Sequence, residues 1–329
     1  MKFRLPRHQY KLFIRRVFQS LVLILLLIVI NFFLIHLAPG DPVLYLAGQS
    51  GDEQYYELIR AKFGLDKPLL TQLWIYLSSV FRGDLGYSLS YQQSVSAVIF
   101  SRIPATLLLI LSAVLLAAIG GVLLGVEAAR RENSFYDRAF NTFALLGHSF
   151  PSFSIGHLLL LFFALYLGLF PAQGFVSANQ DLTGIAYFLD LLAHLALPVL
   201  TLAIVQIAQI MRLTRAAMLN VLSENFITTA RAKGVSERKV LYGHALRNAL
   251  LPVITIIGGD LGMLLSGAVL TETVFAYPGL GRLILEVLAA RDYPVLMGIF
   301  LLISICVVVV NFLTDMLYPL VDPRIRYSR

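Results

Sequence analysis

The sequence predicts an all-α membrane protein with six transmembrane helices, and three observations predict it. Hydrophobic residues make up 58% of the 329 and charged residues only 14%, whereas a typical soluble domain has roughly 25% charged and about 45–50% apolar residues. The apolar residues cluster into stretches as long as the roughly 20 that a bilayer crossing needs. The Lys and Arg residues fall unequally between alternate loops. An ordinary soluble enzyme and a disordered chain are both excluded, the latter because there is ample apolar surface to bury.

The elements follow in order. A basic segment at 1–16 precedes a first span at 17–38, an outer loop at 39–103, a five-helix core at 104–319 with a cytoplasmic loop at 212–247, and a tail at 320–329. The first span resembles a signal peptide, but its apolar core is too long and no A-x-A-like site follows, so it reads as an uncleaved anchor. The outer loop predicts a helix over Asp52–Phe63 closed by Gly64, and a second over Pro68–Arg82 closed by Gly83. Ser94–Arg102 then leads into the second span, Pro104–Val126, where a proline at the first turn is harmless. The third span, Ala139–Pro171, should kink at Pro151. The fourth is Leu191–Met211, the fifth Asn248–Thr271 and the sixth Tyr293–Thr314. Gly121-x-x-x-Gly125 and Gly258-x-x-x-Gly262 suit close helix packing.

Orientation follows from loop charge. Nineteen Lys and Arg lie on the side of the N-terminus and seven on the other, which predicts both termini in the cytoplasm. The net charge of +7 is then largely a topological signal and needs no nucleic acid. In the cytoplasmic loop, Arg212–Lys233 reads as a helix leaving the membrane, stopped by Gly234. Ser236 can cap a new helix over Glu237–Leu250, with Glu237 favourably placed in its first turn.

Chemistry of the enzymatic kind is absent from the pattern. There is no phosphate-binding G-x-x-x-x-G-K-[ST] loop, no H-E-x-x-H, no G-x-S-x-G and no CxxC. The single cysteine, Cys306, gives no disulfide framework, and the six histidines show no metal-ligand spacing. No catalytic or metal site is expected, so uphill transport would draw on an ion gradient or on a partner. Polar residues within or near the spans are Asn31, Asn141, Gln206, Gln209, Asp260, Asn311 and Asp315. An acid at mid-membrane costs about 2.5–3.5 kcal/mol on insertion scales, so Asp260 should face the bundle interior or water. With Ser149 and Pro151, the residues Gln206, Gln209 and Asp260 are the candidates for a pathway or interior site.

The segment Thr228-Thr229-Ala230-Arg231-Ala232-Lys233-Gly234, followed by His244-Ala245-Leu246-Arg247-Asn248-Ala249-Leu250-Leu251-Pro252, resembles the signature loop of ABC-importer permeases. It is most similar to the dipeptide, oligopeptide and nickel branch. The general pattern is Glu-Ala-Ala, three residues, Gly, nine residues, then Ile-x-Leu-Pro. Ala230, Gly234 and Leu246 match it, while Thr228, Thr229, His244 and Arg247 depart from it, as that branch does. Further similar motifs are Ala38-Pro39-Gly40-Asp41-Pro42, Phe63-Gly64-Leu65-Asp66-Lys67-Pro68-Leu69, Arg82-Gly83-Asp84-Leu85-Gly86, Ser149-Phe150-Pro151-Ser152-Phe153, Glu272-Thr273-Val274-Phe275-Ala276-Tyr277-Pro278-Gly279-Leu280-Gly281 and Asp322-Pro323-Arg324.

The resemblance implies a type I ABC importer permease fold in a bacterial inner membrane. It also implies partners: a second permease subunit, two ATPase subunits that bind ATP and Mg, and an extracytoplasmic solute-binding protein. This chain would carry no cofactor. Thr229, Ala230, Ala232, Lys233, Gly234, His244, Leu246 and Arg247 would couple it to the ATPases. Di- or oligopeptides are the first expected cargo and nickel or a nickel chelate the second. The readings of another class are a gradient-driven secondary transporter and a membrane receptor or scaffold.

Overall fold

The computed structural model describes residues 7–37, 43, 52–63, 65–88, 90–177 and 182–321, with side chains omitted at 7–13, 34–37, 62–63, 148, 259–267 and 315–321. Two compact units emerge. One comprises Met1–Thr106 with Pro278–Met316, the other Leu107–Tyr277 with Leu317–Arg329. Among the described residues five helices are long and apolar enough to cross a membrane, and a bent pair makes six if it counts as one span.

In the first unit, α1 (Arg7–Leu37) already begins within the basic segment. Two short helices follow, α2 (Glu53–Phe63) and α3 (Leu69–Phe81). The Asp52 carboxylate accepts the Tyr55 N–H at 2.8 Å and so caps α2. Gly64, the expected stop of α2, lies outside the described residues. Gly83 follows α3 at φ +77, where a side chain would be strained. A two-stranded ribbon, β1 (Tyr87–Ser88) and β2 (Gln93–Ser94), leads into α4 (Val95–Arg130).

Pro104 lies inside α4 rather than at its start, because Val95–Arg102 joins the span as one helix. Its apolar face explains why: Val95, Val98 and Ile99 pack with Leu283, Val287, Val295 and Ile299. Those partners belong to α11 (Leu280–Ala289) and α12 (Tyr293–Val321). Polar groups pin the same layer. Ser88 donates its hydroxyl to buried Asp292 at 2.5 Å. Glu286 meets Arg282 at 2.8 Å and accepts from the Tyr91 hydroxyl at 3.0 Å. Burial first, and then that bond, pushes the Tyr91 pKa up.

In the second unit, α5 (Phe135–Ser149) and α6 (Ser152–Leu159) meet at 103°. The sequence led to a kink at Pro151; the structure has a full break. Proline offers no N–H to the preceding turn and drives Phe150 to an extended φ −89, ψ 137. α6 continues as a wide π-turn over Leu160–Tyr166.

The longest helix, α7 (Gly184–Leu222), has 39 residues and extends well beyond Met211. It packs closely on α4, where a Cβ on Gly121 would lie 2.7 Å from Ile210 and one on Gly125 2.6 Å from Thr214. The first glycine pair therefore marks a true close approach. The packing around Gly262, in the second pair, lies outside the described residues. The chain then turns through α8 (Asn225–Ala232) and α9 (Glu237–Lys239), passes a π-turn at Val240–Ala245, and enters α10 (Leu246–Val274). Beyond α10, Tyr277 is buried against the Phe175 ring, 5.5 Å between centroids. Burial and then the Glu272 charge push its phenol pKa up.

Candidate functional site

The corner between α7 and α10 is built from backbone upward. The single helix expected over Arg212–Lys233 is interrupted, because α7 ends at Leu222 and Glu224 turns extended, at ψ 147. Ser223 spends its hydroxyl on the Asn220 carbonyl, 2.7 Å away, a local bond that competes with helix continuation. The carbonyl of Glu224 then accepts the Ile227 N–H at 3.0 Å and starts α8.

α8 ends in a Schellman turn. The Gly234 N–H donates to Arg231 at 2.9 Å and the Val235 N–H to Ala230 at 3.2 Å. Gly234 sits at φ +77, the left-handed conformation this turn requires. Ala230 is the position whose carbonyl closes the turn, and Ala230 and Val235 both pack against the same apolar cluster. A Cβ on Gly234 would meet nothing within 4 Å. Its glycine is therefore demanded by the backbone and not by crowding within the chain.

Beyond the turn, Ser236 makes no side-chain cap, unlike the expectation from its position. The Arg231 guanidinium instead bridges the corner to Glu237, at 2.7 and 3.2 Å. That pair raises the Arg231 pKa. The helix expected over 237–250 is split by the π-turn at Val240–Ala245, after which α10 runs through Pro252 to Val274.

One side of the corner is fixed and the other is open. Ile227, Val240, Leu241, Ala245 and Ala249 are buried with Val126, Ala129 and Met218. Thr229, Ala232, Lys233, Gly234 and Arg247 are exposed, while Ala230, His244 and Leu246 are half-buried. The structure thus gathers all eight expected coupling residues around one short corner. Sequence reasoning missed the device beneath it. Asp137 of α5, 4% exposed, pairs with Arg215 of α7 at 2.6 and 2.7 Å. Asn141 donates to the same carboxylate at 2.8 Å, so Asn141 is structural and not a membrane-pathway group. The Ser134-x-x-Asp137 spacing before α5 was a readable cap signal. Its partner 78 residues away was not readable.

The interior candidates do not form one site. Gln206 and Gln209 are half-buried on α7, and Gln209 borders a cavity of about 460 Å³ with Ala208, Arg212 and Leu213. Ser149 is exposed and donates to the Leu145 carbonyl at 2.7 Å; Pro151 is exposed at the α5–α6 break. Asp260 lies on α10, but its side chain falls outside the described residues. Asn31 donates to the Tyr76 hydroxyl at 3.1 Å and the Met297 carbonyl at 3.2 Å.

Residues 121–327 match the family model described as binding-protein-dependent transport system inner membrane component, and residues 9–110 match the model of its N-terminal region. The chain belongs to this permease family. Among its relatives is a probable peptide ABC transporter permease protein of Sinorhizobium fredii, 42% identical across 95% of this chain and 98% of that protein. The Di/tripeptide transport system permease protein DppB of Pseudomonas aeruginosa is 42% identical, covering 91% and 94%. The Dipeptide transport system permease protein DppB of Escherichia coli is 40% identical, covering 91% and 94%. A solved structure of the inward-facing MetNI methionine ABC transporter shares the fold, with TM-score 0.56 over 68% of this chain and 96% of that one, at 16% identity. This permease has the type I importer fold, and its matched family motif spans the corner, α10 and α12 together.

Proposed function

We propose that this permease is one membrane subunit of an ATP-driven importer for di- or oligopeptides, and that the Gly234 corner is where it meets an ATPase subunit. Peptide cargo takes precedence over nickel because the relatives reported above carry peptide names across nearly the whole chain. Membership of a binding-protein-dependent family favours it over a gradient-driven transporter. The partners in this reading are a second permease, two ATPases that hold ATP and Mg, and a solute-binding protein. The chain itself hydrolyses nothing, and both termini face the cytoplasm.

One observation carries the coupling role: the corner is rigid inward and polar outward. Its buried face is shared with α4 and α7, and it continues helically into α10. Motion of a subunit docked on the exposed face would therefore tilt long helices rather than flex a loop. ATP and cargo shift the inward–outward equilibrium only through different affinities for the two states. The half-buried Gln206 and Gln209, and the cavity beside Gln209, are the pathway-facing groups in this reading.

The test uses Gly234→Val and Ala230→Asp. A β-branched residue at φ +77 distorts the turn, and a carboxylate at half-buried Ala230 sets an unpaired charge between the docking face and the apolar seat beneath it. The purified complexes should lose ATPase subunits or lose peptide-stimulated hydrolysis, with membrane abundance retained. Full stoichiometry and normal stimulation in both variants would reduce the corner to a charged hairpin. Uptake of nickel but not of labelled dipeptide would replace the cargo.

A further inference from the structure

Helix α3 carries no charged residue along its 13 positions. Leu70 is 80% exposed, Trp74 72% and Phe81 72%. Spacings of four and eleven place these three within about 40° on one helix face. The opposing side is occupied: the Tyr76 hydroxyl accepts from Asn31, and its ring lies 5.7 Å from Phe32. Tyr76 sits about a third of a turn around from the apolar stripe, so the stripe does not point into α1. A charge-free helix showing this much aromatic and aliphatic surface is unsuited to water.

The neighbourhood says what covers it. α3 leans on α1 near the C-terminal end of that span, where Ile30 and Phe33 are themselves exposed apolar residues. A crevice of about 210 Å³ adjoins the contact, lined by Leu27, Ile30, Asn31, Phe300 and Ser304 among others. Asn31 is common to the crevice and to the α3 contact. The contact side of α3 thus rests at the exposed apolar end of α1, and the stripe, about a third of a turn away, flanks that end of the span. Exposed Lys67 and Arg82 bracket the helix, each beside an exposed acid, Asp66 and Asp84. The ends are polar without net charge, while tryptophan is the side chain that favours the headgroup level.

We propose that the Leu70–Trp74–Phe81 face of α3 is buried in the lipid bilayer, as an interfacial helix lying beside the C-terminal end of α1. The partner is the membrane surface itself, with no requirement for anionic headgroups. An in-plane helix of this kind buries its apolar side at the headgroup–acyl boundary. It would fix the height of the outer-loop helices relative to the bilayer. This goes beyond the transport reading and does not depend on the cargo.

The experiment places a cysteine by Trp74→Cys, and separately by Leu70→Cys, in a Cys306→Ser chain. Each is labelled with bimane in the assembled transporter and reconstituted in proteoliposomes. The Cys306→Ser complex with Trp74 intact gives the background from partner subunits. Phosphatidylcholine carrying a nitroxide at carbon 5 should quench both labels at least twofold, and aqueous iodide should leave them nearly unchanged. Iodide quenching without lipid quenching would overturn the proposal and put the stripe in water. Protection from both quenchers would overturn it in favour of a covering protein, either the second permease or the binding protein. Replacing a third of the lipid by phosphatidylglycerol should not alter the quenching ratio; a strong increase would overturn the charge-independent form.

Discussion

The Gly234 corner and helix α3 are both short helical excursions between spans, and they treat their apolar residues in opposite ways. The corner turns Ile227, Val240 and Leu241 inward, each at most 3% exposed, and offers Thr229, Lys233 and Arg238 outward. α3 has no buried residue among its 13 and shows Leu70, Trp74 and Phe81 outward. The corner therefore has its own apolar seat, supplied by α4 and α7. α3 meets α1 through Tyr76, whose hydroxyl and ring reach Asn31 and Phe32, and its residues are at most half-buried. An excursion with its own seat can act as a rigid polar lever, whereas one without a seat must find an apolar medium. Sequence hydrophobicity alone does not separate the two, because both contain apolar residues at helical spacing.

The strongest way to break the contrast is to remove the frame beneath the corner. Gly125→Leu would drive a side chain into the Met211 carbonyl, which lies 2.7 Å from a Cβ there, and into Thr214. Backbone cannot swing aside as a side-chain tip can, so α4 and α7 must separate, at a cost above about 3 kcal/mol. Folded permease should be nearly absent from membranes, as read by gel filtration of the tagged chain. Normal recovery would show that the corner does not need this close approach.

A paired substitution sharpens the comparison at intermediate size. Ile227→Ser empties a fully buried site, whereas Trp74→Ser alters one that is 72% exposed. The first should cost about 3 kcal/mol through lost packing and a buried hydroxyl, and the second should change little in detergent, which substitutes for lipid. Thermal inactivation of the two purified variants checks this. Equal losses would mean that α3 has a protein seat after all.

The smallest effect is expected at the corner's ion pair. Arg231 and Glu237 are 45% and 52% exposed, so water screens most of their attraction. Arg231→Ala should change stability by less than about 0.5 kcal/mol. A much larger loss of thermal stability would show that the pair, rather than the apolar seat, holds the corner closed.

The class of the fold was legible because it rests on local or additive signals. Apolar length set the spans, Gly234 set the turn, and Gly121 with Gly125 marked a close helix pair. Less was legible at the site. The break after Ser223 depended on a hydroxyl choosing a nearby carbonyl, a choice close to balanced in sequence. Pro151 announced a bend but not its 103° angle, since only the packing of α5 and α6 against other helices sets an angle.

Taken by itself, the sequence determined which stretches must leave water and where the backbone must turn, because hydrophobic length and glycine's freedom at positive φ belong to the residues themselves. Tertiary structure alone decided which apolar faces found a protein seat and which did not. It also decided that Asp137 would be paired by Arg215, 78 positions away, and that the Pro104 helix would begin at Val95. Those outcomes depend on partners distant in the chain, and the free energy of a contact exists only once both sides have been brought together.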